Sequence, residues 1–252
     1  MSIVEILWPA FVLGLLLVFI HAIFGLEIIR RGVIFTDLAI GQIAAVGIAV
    51  SAAFFDGAYQ TVLTLGFALL AAVLIAVGTR RVEHVEAFIG LLYALGISSI
   101  MLILAQSGEG MELFSKLNAA DILFTMPEDV AQASMLYGAI AALMFILYPR
   151  LRGFTKELLF FGALAVTVTS SVQIAGVLVV FALLVAPAYA ALTQTRLSPL
   201  LFAWIFGAAS VIVALYLSYR FDLPTGYTII FTVVVSTMVL ILSKSKKLDG
   251  RE

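Results

Sequence analysis

The chain has 252 residues, of which 63% are hydrophobic and 12% are charged, and its formal net charge is −1. Its mean hydropathy of +1.19 excludes an ordinary soluble domain and predicts an all-α polytopic membrane protein. Because the sequence contains no cysteine, disulfides, thiolate metal ligands and thiol nucleophiles are excluded as well.

The number of membrane spans follows from apolar segments that can cross ~30 Å of hydrocarbon at about 1.5 Å per residue. In chain order they predict crossings at 6–29, 33–55, 61–78, 87–105, 132–148, 157–172, 176–193, 199–219 and 225–243. The sixth and seventh share one apolar run, 157–193, in which we expect a turn at the polar residues 169–173. The fold class is therefore about eight or nine transmembrane helices, including a short helix hairpin, in a single transmembrane domain covering residues 1–252.

The positions of the basic residues predict the orientation of these spans. With the N-terminus outside, only Lys116 and Arg220 of the 14 basic residues fall on the outer side. The inner side carries Arg30, Arg31, Arg80, Arg81, Arg150, Arg152, Lys156, Arg196, Lys244, Lys246, Lys247 and Arg251. Because cytoplasmic loops are enriched in Lys and Arg, this bias predicts a multi-pass protein of the cell inner (plasma) membrane with a cytoplasmic C-terminus.

Two loops stand out in this topology: an inner basic loop at about 149–156 and an outer acidic loop at about 106–131. The outer loop is either a solvated cap, with a short amphipathic helix across 111–124, or a docking surface for an extracytoplasmic partner. Its acidic residues are Glu109, Glu112, Asp121, Glu128 and Asp129.

Asp37 lies inside the second predicted span, six residues past Arg31. An ionised side chain in hydrocarbon costs at least ~2.5 kcal/mol, so such residues usually serve a pathway or a site. His21, nine residues before Arg30, lies at a similar depth in the first span if helical rise holds. Imidazole and carboxylate are ligands for Zn²⁺, Mn²⁺ or Fe²⁺, so we predict metal handling by the pair. The alternative is a hydrogen bond that only neutralises a buried acid.

Gln42 is the weakest of the three candidate metal ligands, Asp37, His21 and Gln42. It lies five residues beyond Asp37, which places the two side chains about 140° apart on an ideal helix. Only a local bulge would bring both to one site, and an interhelical hydrogen bond is the alternative role. Gly41, by contrast, lies on the face of Asp37 and leaves room for a ligand or a neighbouring backbone.

No catalytic constellation is present, and we do not expect an enzyme. The sequence lacks the G-x-x-x-x-G-K-[ST] phosphate-binding loop and the H-E-x-x-H zinc motif. Active transport by this chain would therefore need an ion gradient or ATP hydrolysis on a separate subunit.

Three segments resemble the permease subunits of metal-ion ABC transporters, the zinc, manganese and iron uptake systems. They are residues 30–37 (RRGVIFTD), 172–188 (VQIAGVLVVFALLVAPA) and 215–226 (LYLSYRFDLPTG), with a weaker match at 86–90 (EAFIG). These segments follow the family's order along the chain. Two departures are visible: Gly41 stands where the family usually has a histidine, and the inner loop at 149–156 is shorter than the family's coupling segment.

The resemblance implies uptake of a divalent cation as the transported substrate, with no covalently bound cofactor. It implies four partners: a second permease copy, cytosolic ATP-binding subunits, an extracytoplasmic metal-binding protein and the lipid bilayer, with no nucleic acid. Asp37 is the residue to which the family's ligand role carries over. Two alternatives stay open, namely a secondary carrier or channel that uses Asp37 as a proton or cation site, and an ABC permease for a chelated or organic substrate.

Overall fold

A computed structural model describes residues 3–108, 110–117 and 122–245, and all of the secondary structure in this part of the chain is helical. The predicted all-α class is therefore confirmed. The helices are α1 (Ile3–Arg31), α2 (Thr36–Phe54), α3 (Gln60–Arg81), α4 (Val85–Leu104), α5 (Gly110–Leu117), α6 (Pro127–Ile146), α7 (Gly153–Ala175), α8 (Val177–Leu192), α9 (Pro199–Phe221) and α10 (Thr225–Ser245). Two 3₁₀ turns, Ile122–Phe124 and Tyr148–Arg150, precede α6 and α7.

Eight helices of the described residues are long and apolar enough to cross a membrane. They are α1 to α4, α6, α7, α9 and α10, while the apolar helix α8, Val177–Leu192, is shorter. The expected eight or nine spans with a short helical element are thus confirmed.

The break in the long apolar run lies at Gly176 and not at the expected turn, 169–173. The helix continues through that polar stretch, and its hydroxyls are satisfied without a turn: Ser171 Oγ donates to Thr167 O at 2.7 Å, and Thr167 Oγ1 donates to Ala163 O at 2.8 Å. Gly176, which separates α7 from α8, has φ of 84°, a value that residues with side chains disfavour.

The acidic loop contains two short helical pieces, α5 and the turn Ile122–Phe124, which overlap the predicted amphipathic segment 111–124. Helix α5 packs against α2. Glu109 and Asp121 of this loop, and Lys246, Lys247 and Arg251 near the C-terminus, lie outside the described residues.

The chain divides into two compact units, each drawn from separate stretches of sequence. The first comprises Met1–Arg31, Asp121–Tyr137 and Ile174–Glu252, and the second comprises Gly32–Ala120 and Gly138–Gln173. The expectation of a single transmembrane domain stays a prediction.

In the first unit, α1 packs against α8 and α9, and α10 packs against α8 and α9. Gly25 brings α1 so close to α8 that a Cβ there would collide with the carbonyl oxygen of Leu184. Trp204 of α9 stacks on Phe19 of α1, with ring centroids 4.6 Å apart, and donates a 3.0 Å hydrogen bond to the Phe19 carbonyl. These contacts fix the neighbours of α1, the helix that carries His21.

In the second unit, α2 packs against both α3 and α4, and most of its residues are buried. Gly47 allows α2 to approach the backbone of α3, where an added Cβ would lie 2.6 Å from Leu63. Gly96 plays the same role on α4, where an added Cβ would lie 2.9 Å from Cβ of Gln42. Small residues at these crossings hold α2 tightly between its two neighbours.

Candidate membrane-embedded cation site

The start of α2 is fixed by contacts that precede Asp37. Gly32 has φ of 66°, so the chain turns immediately after α1. The backbone N–H of Phe35 donates to Oε1 of Glu86 at 3.2 Å, and Thr36 Oγ1 donates to the Val33 carbonyl at 2.7 Å. The carboxylate of Glu86, from α4, thus satisfies a backbone donor that an uncapped helix start leaves without a partner. Both contacts hold the first turn of α2, which carries Asp37.

The side chain of Asp37 is buried, with only 1% of its surface exposed. Its Oδ1 atom has no hydrogen-bond partner among the described residues. Asp37 lies in the first turn of α2, where the positive end of the helix dipole favours a negative charge. The dipole therefore offsets part of the cost of burying the carboxylate. A buried carboxylate oxygen without a partner is costly, so this atom is available to a cation.

A small cavity lies one turn along α2 from Asp37, within the second unit. Its volume is about 20 Å³, enough for one water molecule. Gly41 lines it and, being four residues beyond Asp37, shares the face of that residue. The full lining comprises Gly41, Ala44, Ala45 and Ile48 of α2, Thr64 of α3, and Thr169, Val172 and Gln173 of α7.

Gln42 lies away from this cavity and next to α4. An added Cβ on Gly96 would meet Cβ of Gln42 at 2.9 Å, which places Gln42 at the α2–α4 crossing. Its role as a metal ligand stays a prediction, as does the interhelical alternative.

His21 lies in the first unit and Asp37 in the second, so their pairing stays a prediction. His21 is fully buried, and its Nδ1 lies 2.8 Å from the carbonyl oxygen of Leu17. Because a carbonyl only accepts, Nδ1 carries the proton in this bond, and in the neutral ring Nε2 then carries the lone pair. Metal-binding imidazoles commonly have this arrangement.

Among the described residues, no group of three or more His, Asp or Glu side chains is placed to hold a metal ion. Within the described residues, Asp37 is therefore not part of such a group. A labile site that shares its ligands with water or with neighbouring oxygen atoms remains compatible with this geometry.

Two residues near Asp37 are missed by sequence reasoning: Glu86, which binds the start of α2, and Thr169, which lines the cavity. The sequence shows Glu86 only as part of a weak motif and Thr169 only as a polar residue near a turn. Nothing in the spacing along the chain indicates that either residue lies beside α2, because both contacts join distant parts of the sequence.

Comparison with known proteins gives a consistent set of matches. Residues 151–246 match the model of the ABC 3 transport family. The chain is 28% identical over 169 residues to a Haemophilus influenzae protein named as a probable iron transport system membrane protein, covering 60% of this chain and 62% of that protein's length. The chain thus spans less than two thirds of this curated relative.

Two solved structures share the fold. The first is PsaBC from Streptococcus pneumoniae in complex with Fab, with a TM-score of 0.74 at 19% identity over 94% of this chain and 91% of that one. The second is an inward-facing transporter described as being of the metal-chelate ABC type, with a TM-score of 0.65 at 14% identity over 94% and 85% of the two chains. At these identities the likeness shows a common fold.

Proposed function

We propose that this chain, of which residues 151–246 match the ABC 3 transport family, is the transmembrane permease subunit for divalent metal ions, Zn²⁺, Mn²⁺ or Fe²⁺, and works in uptake. The name of the iron transport relative supports a metal as substrate. The chain has no phosphate-binding loop, so ATP would be hydrolysed on a separate cytosolic subunit.

The observation that carries this proposal is the buried carboxylate of Asp37 at the start of α2. One of its oxygens lacks a partner among the described residues, although burial makes such an atom costly. An intramembrane acid of this kind is expected to serve a pathway. Cation binding would satisfy the oxygen and neutralise the charge together.

The proposed assembly contains a second copy of this chain, a pair of ATP-binding subunits and an extracytoplasmic metal-binding protein. Each permease copy contributes one Asp37, so two copies supply two carboxylates to a common pathway. This arrangement would compensate for the absence of a three-residue metal cluster within the described part of one chain. The complex would lie in the plasma membrane with its N-terminus outside.

The proposal is tested by metal-stimulated ATPase activity in the reconstituted transporter. We expect Asp37→Asn, which removes the charge at nearly constant volume, to abolish stimulation by divalent metal. Asp56→Asn is the matched control, because Asp56 is an exposed acid just beyond the other end of α2, with φ of 52° that asparagine tolerates.

Full metal stimulation in Asp37→Asn would contradict the proposed role of this carboxylate. ATPase activity of the wild-type complex that is stimulated by a metal chelate but not by bare metal ions would instead favour a chelated substrate. One of the structural neighbours is described as being of the metal-chelate type. Loss of activity in both variants would point to a general effect on α2.

A further inference from the structure

We propose that Arg80 and Glu86, at the two ends of the turn between α3 and α4, are positioning residues that connect the inner basic loop to the first turn of α2. A shift of that loop then reaches the helix start that carries Asp37. This inference rests on the proposed function and adds to it the residues through which ATP hydrolysis and metal binding influence each other. All of the residues involved belong to the second compact unit.

Glu86 binds the start of one helix from the start of another. Its Oε1 accepts a 3.2 Å hydrogen bond from the backbone N–H of Phe35, which precedes α2 and provides no side-chain cap to it. Glu86 itself lies in the first turn of α4, so its carboxylate is close to the positive ends of two helix dipoles. Asp37 is two residues beyond Phe35, so loss of this bond would release the turn that orients the Asp37 side chain.

The turn between α3 and α4 is short and closely packed. It comprises residues 82–84, and the backbone N–H of Val82 donates to the Gly78 carbonyl at 2.9 Å. Gly78 of α3 lets the ring of Phe88 on α4 come so close that an added Cβ would lie 2.7 Å from it. Because closely packed groups deform little, a displacement at the end of α3 is passed on to the start of α4.

Arg80 connects this turn to the inner basic loop at 149–156. Its guanidinium carbon lies 5.5 Å from the centroid of the Phe154 ring, which is a cation–π contact. A Cβ added at Gly153 would lie 3.4 Å from Nη2 of Arg80. The end of α3 therefore contacts the loop at the point where α7 begins.

The inner basic loop is itself braced and accessible. Lys156 Nζ lies 4.5 Å from the centroid of the Tyr148 ring, so α7 contacts the 3₁₀ turn at the other end of the loop. Between them, Arg150 and Arg152 are exposed. The loop can therefore meet the ATP-binding subunit that the proposed function requires and move as one piece.

The test uses the reconstituted transporter and measures the half-saturating metal concentration separately from the maximal rate of metal-stimulated ATP hydrolysis, with Zn²⁺, Mn²⁺ and Fe²⁺ as probes. We expect Glu86→Ala to lower the maximal rate and to raise the half-saturating concentration about 10-fold, because the turn that holds Asp37 loosens. Glu86→Gln keeps an acceptor oxygen for the Phe35 N–H and should restore both values. Glu83→Ala, at an exposed acid of the same turn, is the matched control and should change neither.

Glu86→Asp takes the place of the alanine variant if alanine prevents assembly of the complex. Aspartate keeps the charge but is one methylene shorter, so its carboxylate would not reach the Phe35 N–H. We expect the same rise in the half-saturating concentration as for Glu86→Ala. Wild-type kinetics in Glu86→Asp would overturn the inference.

Arg80→Ala should affect the rate alone. We expect the maximal metal-stimulated rate to fall about 10-fold at an unchanged half-saturating concentration, because the Asp37 turn stays in place but no longer follows the loop. Arg81→Ala is the matched control, because Arg81 is the adjacent exposed arginine and makes no cation–π contact among the described residues. An equal fall in Arg81→Ala would show a general effect of charge and would overturn the role of Arg80.

The double variant Arg80→Ala/Glu86→Ala shows whether the two residues act through one connection. If they do, the maximal rate falls by about 10-fold, as in the single variants, because the second change removes nothing further. A fall of about 100-fold, the product of two independent effects, would overturn the proposed connection.

The remaining outcomes separate this inference from the proposed function. Wild-type kinetics in Glu86→Ala, or loss that glutamine does not restore, would overturn the inference while leaving the Asp37→Asn result intact. A wild-type complex that responds to none of the three metals would overturn both.

Discussion

The Asp37 carboxylate and the His21 imidazole show how far single residues can be interpreted from sequence. The sequence identifies both as polar groups inside apolar spans, and the structure places both in full burial. Sequence alone cannot supply their hydrogen bonds. Nδ1 of His21 engages the Leu17 carbonyl, whereas Oδ1 of Asp37 has no partner among the described residues, and that difference depends on the packing of neighbouring helices.

Asp37 should reduce the stability of the metal-free protein, because a buried carboxylate with an unpartnered oxygen carries a charge that is costly to bury, and asparagine removes that charge. We expect Asp37→Asn to raise the melting temperature of the metal-free protein in detergent. Wild type should gain about 2.7 kcal/mol of stability when metal reaches 100 times its dissociation constant, and the variant should gain none. Equal metal-induced shifts in the two proteins would contradict a ligand role for Asp37.

At the scale of elements, apolar length correctly predicts the long helices, whereas their ends require knowledge of local bonding. The turn expected at 169–173 is wrong: α7 continues through these residues, and the hydroxyls of Ser171 and Thr167 bond to carbonyls within it. The two helices are instead separated at Gly176, whose positive φ the sequence does not reveal. Because the break lies a few residues later than expected, Thr169 belongs to α7, one of the helices that line the cavity.

The close packing of α2 on α3 depends on Gly47. A Cβ at this position would lie 2.6 Å from backbone atoms of Leu63 and Thr64, which cannot move aside without separating the helices. We expect Gly47→Ala to lower stability by about 1–3 kcal/mol, measured as a decrease in melting temperature. Gly66→Ala on α3 is the control, because no atom lies within 4 Å of its added Cβ, and it should be neutral or stabilising by up to ~1 kcal/mol. Equal decreases in the two variants would contradict the proposed crossing.

For the whole molecule, composition was sufficient to predict the all-α membrane class, which is confirmed. The motifs predicted the metal-ion ABC permease family, and residues 151–246 match the model of the ABC 3 transport family. Hydrophobic length determines the class because each span must satisfy its backbone within a helix. The lining of the cavity could not be predicted, since α2, α3 and α7 meet there from distant parts of the sequence. Orientation in the membrane stays a prediction from the distribution of basic residues.

The most direct test of the central claim is equilibrium binding of a divalent metal to the assembled transporter, with wild type measured beside Asp37→Asn. The account predicts binding in wild type at micromolar concentration or below, equivalent to roughly 8 kcal/mol or more, and loss of that binding in the variant. Wild-type affinity in Asp37→Asn would contradict the claim that this buried carboxylate binds the transported metal.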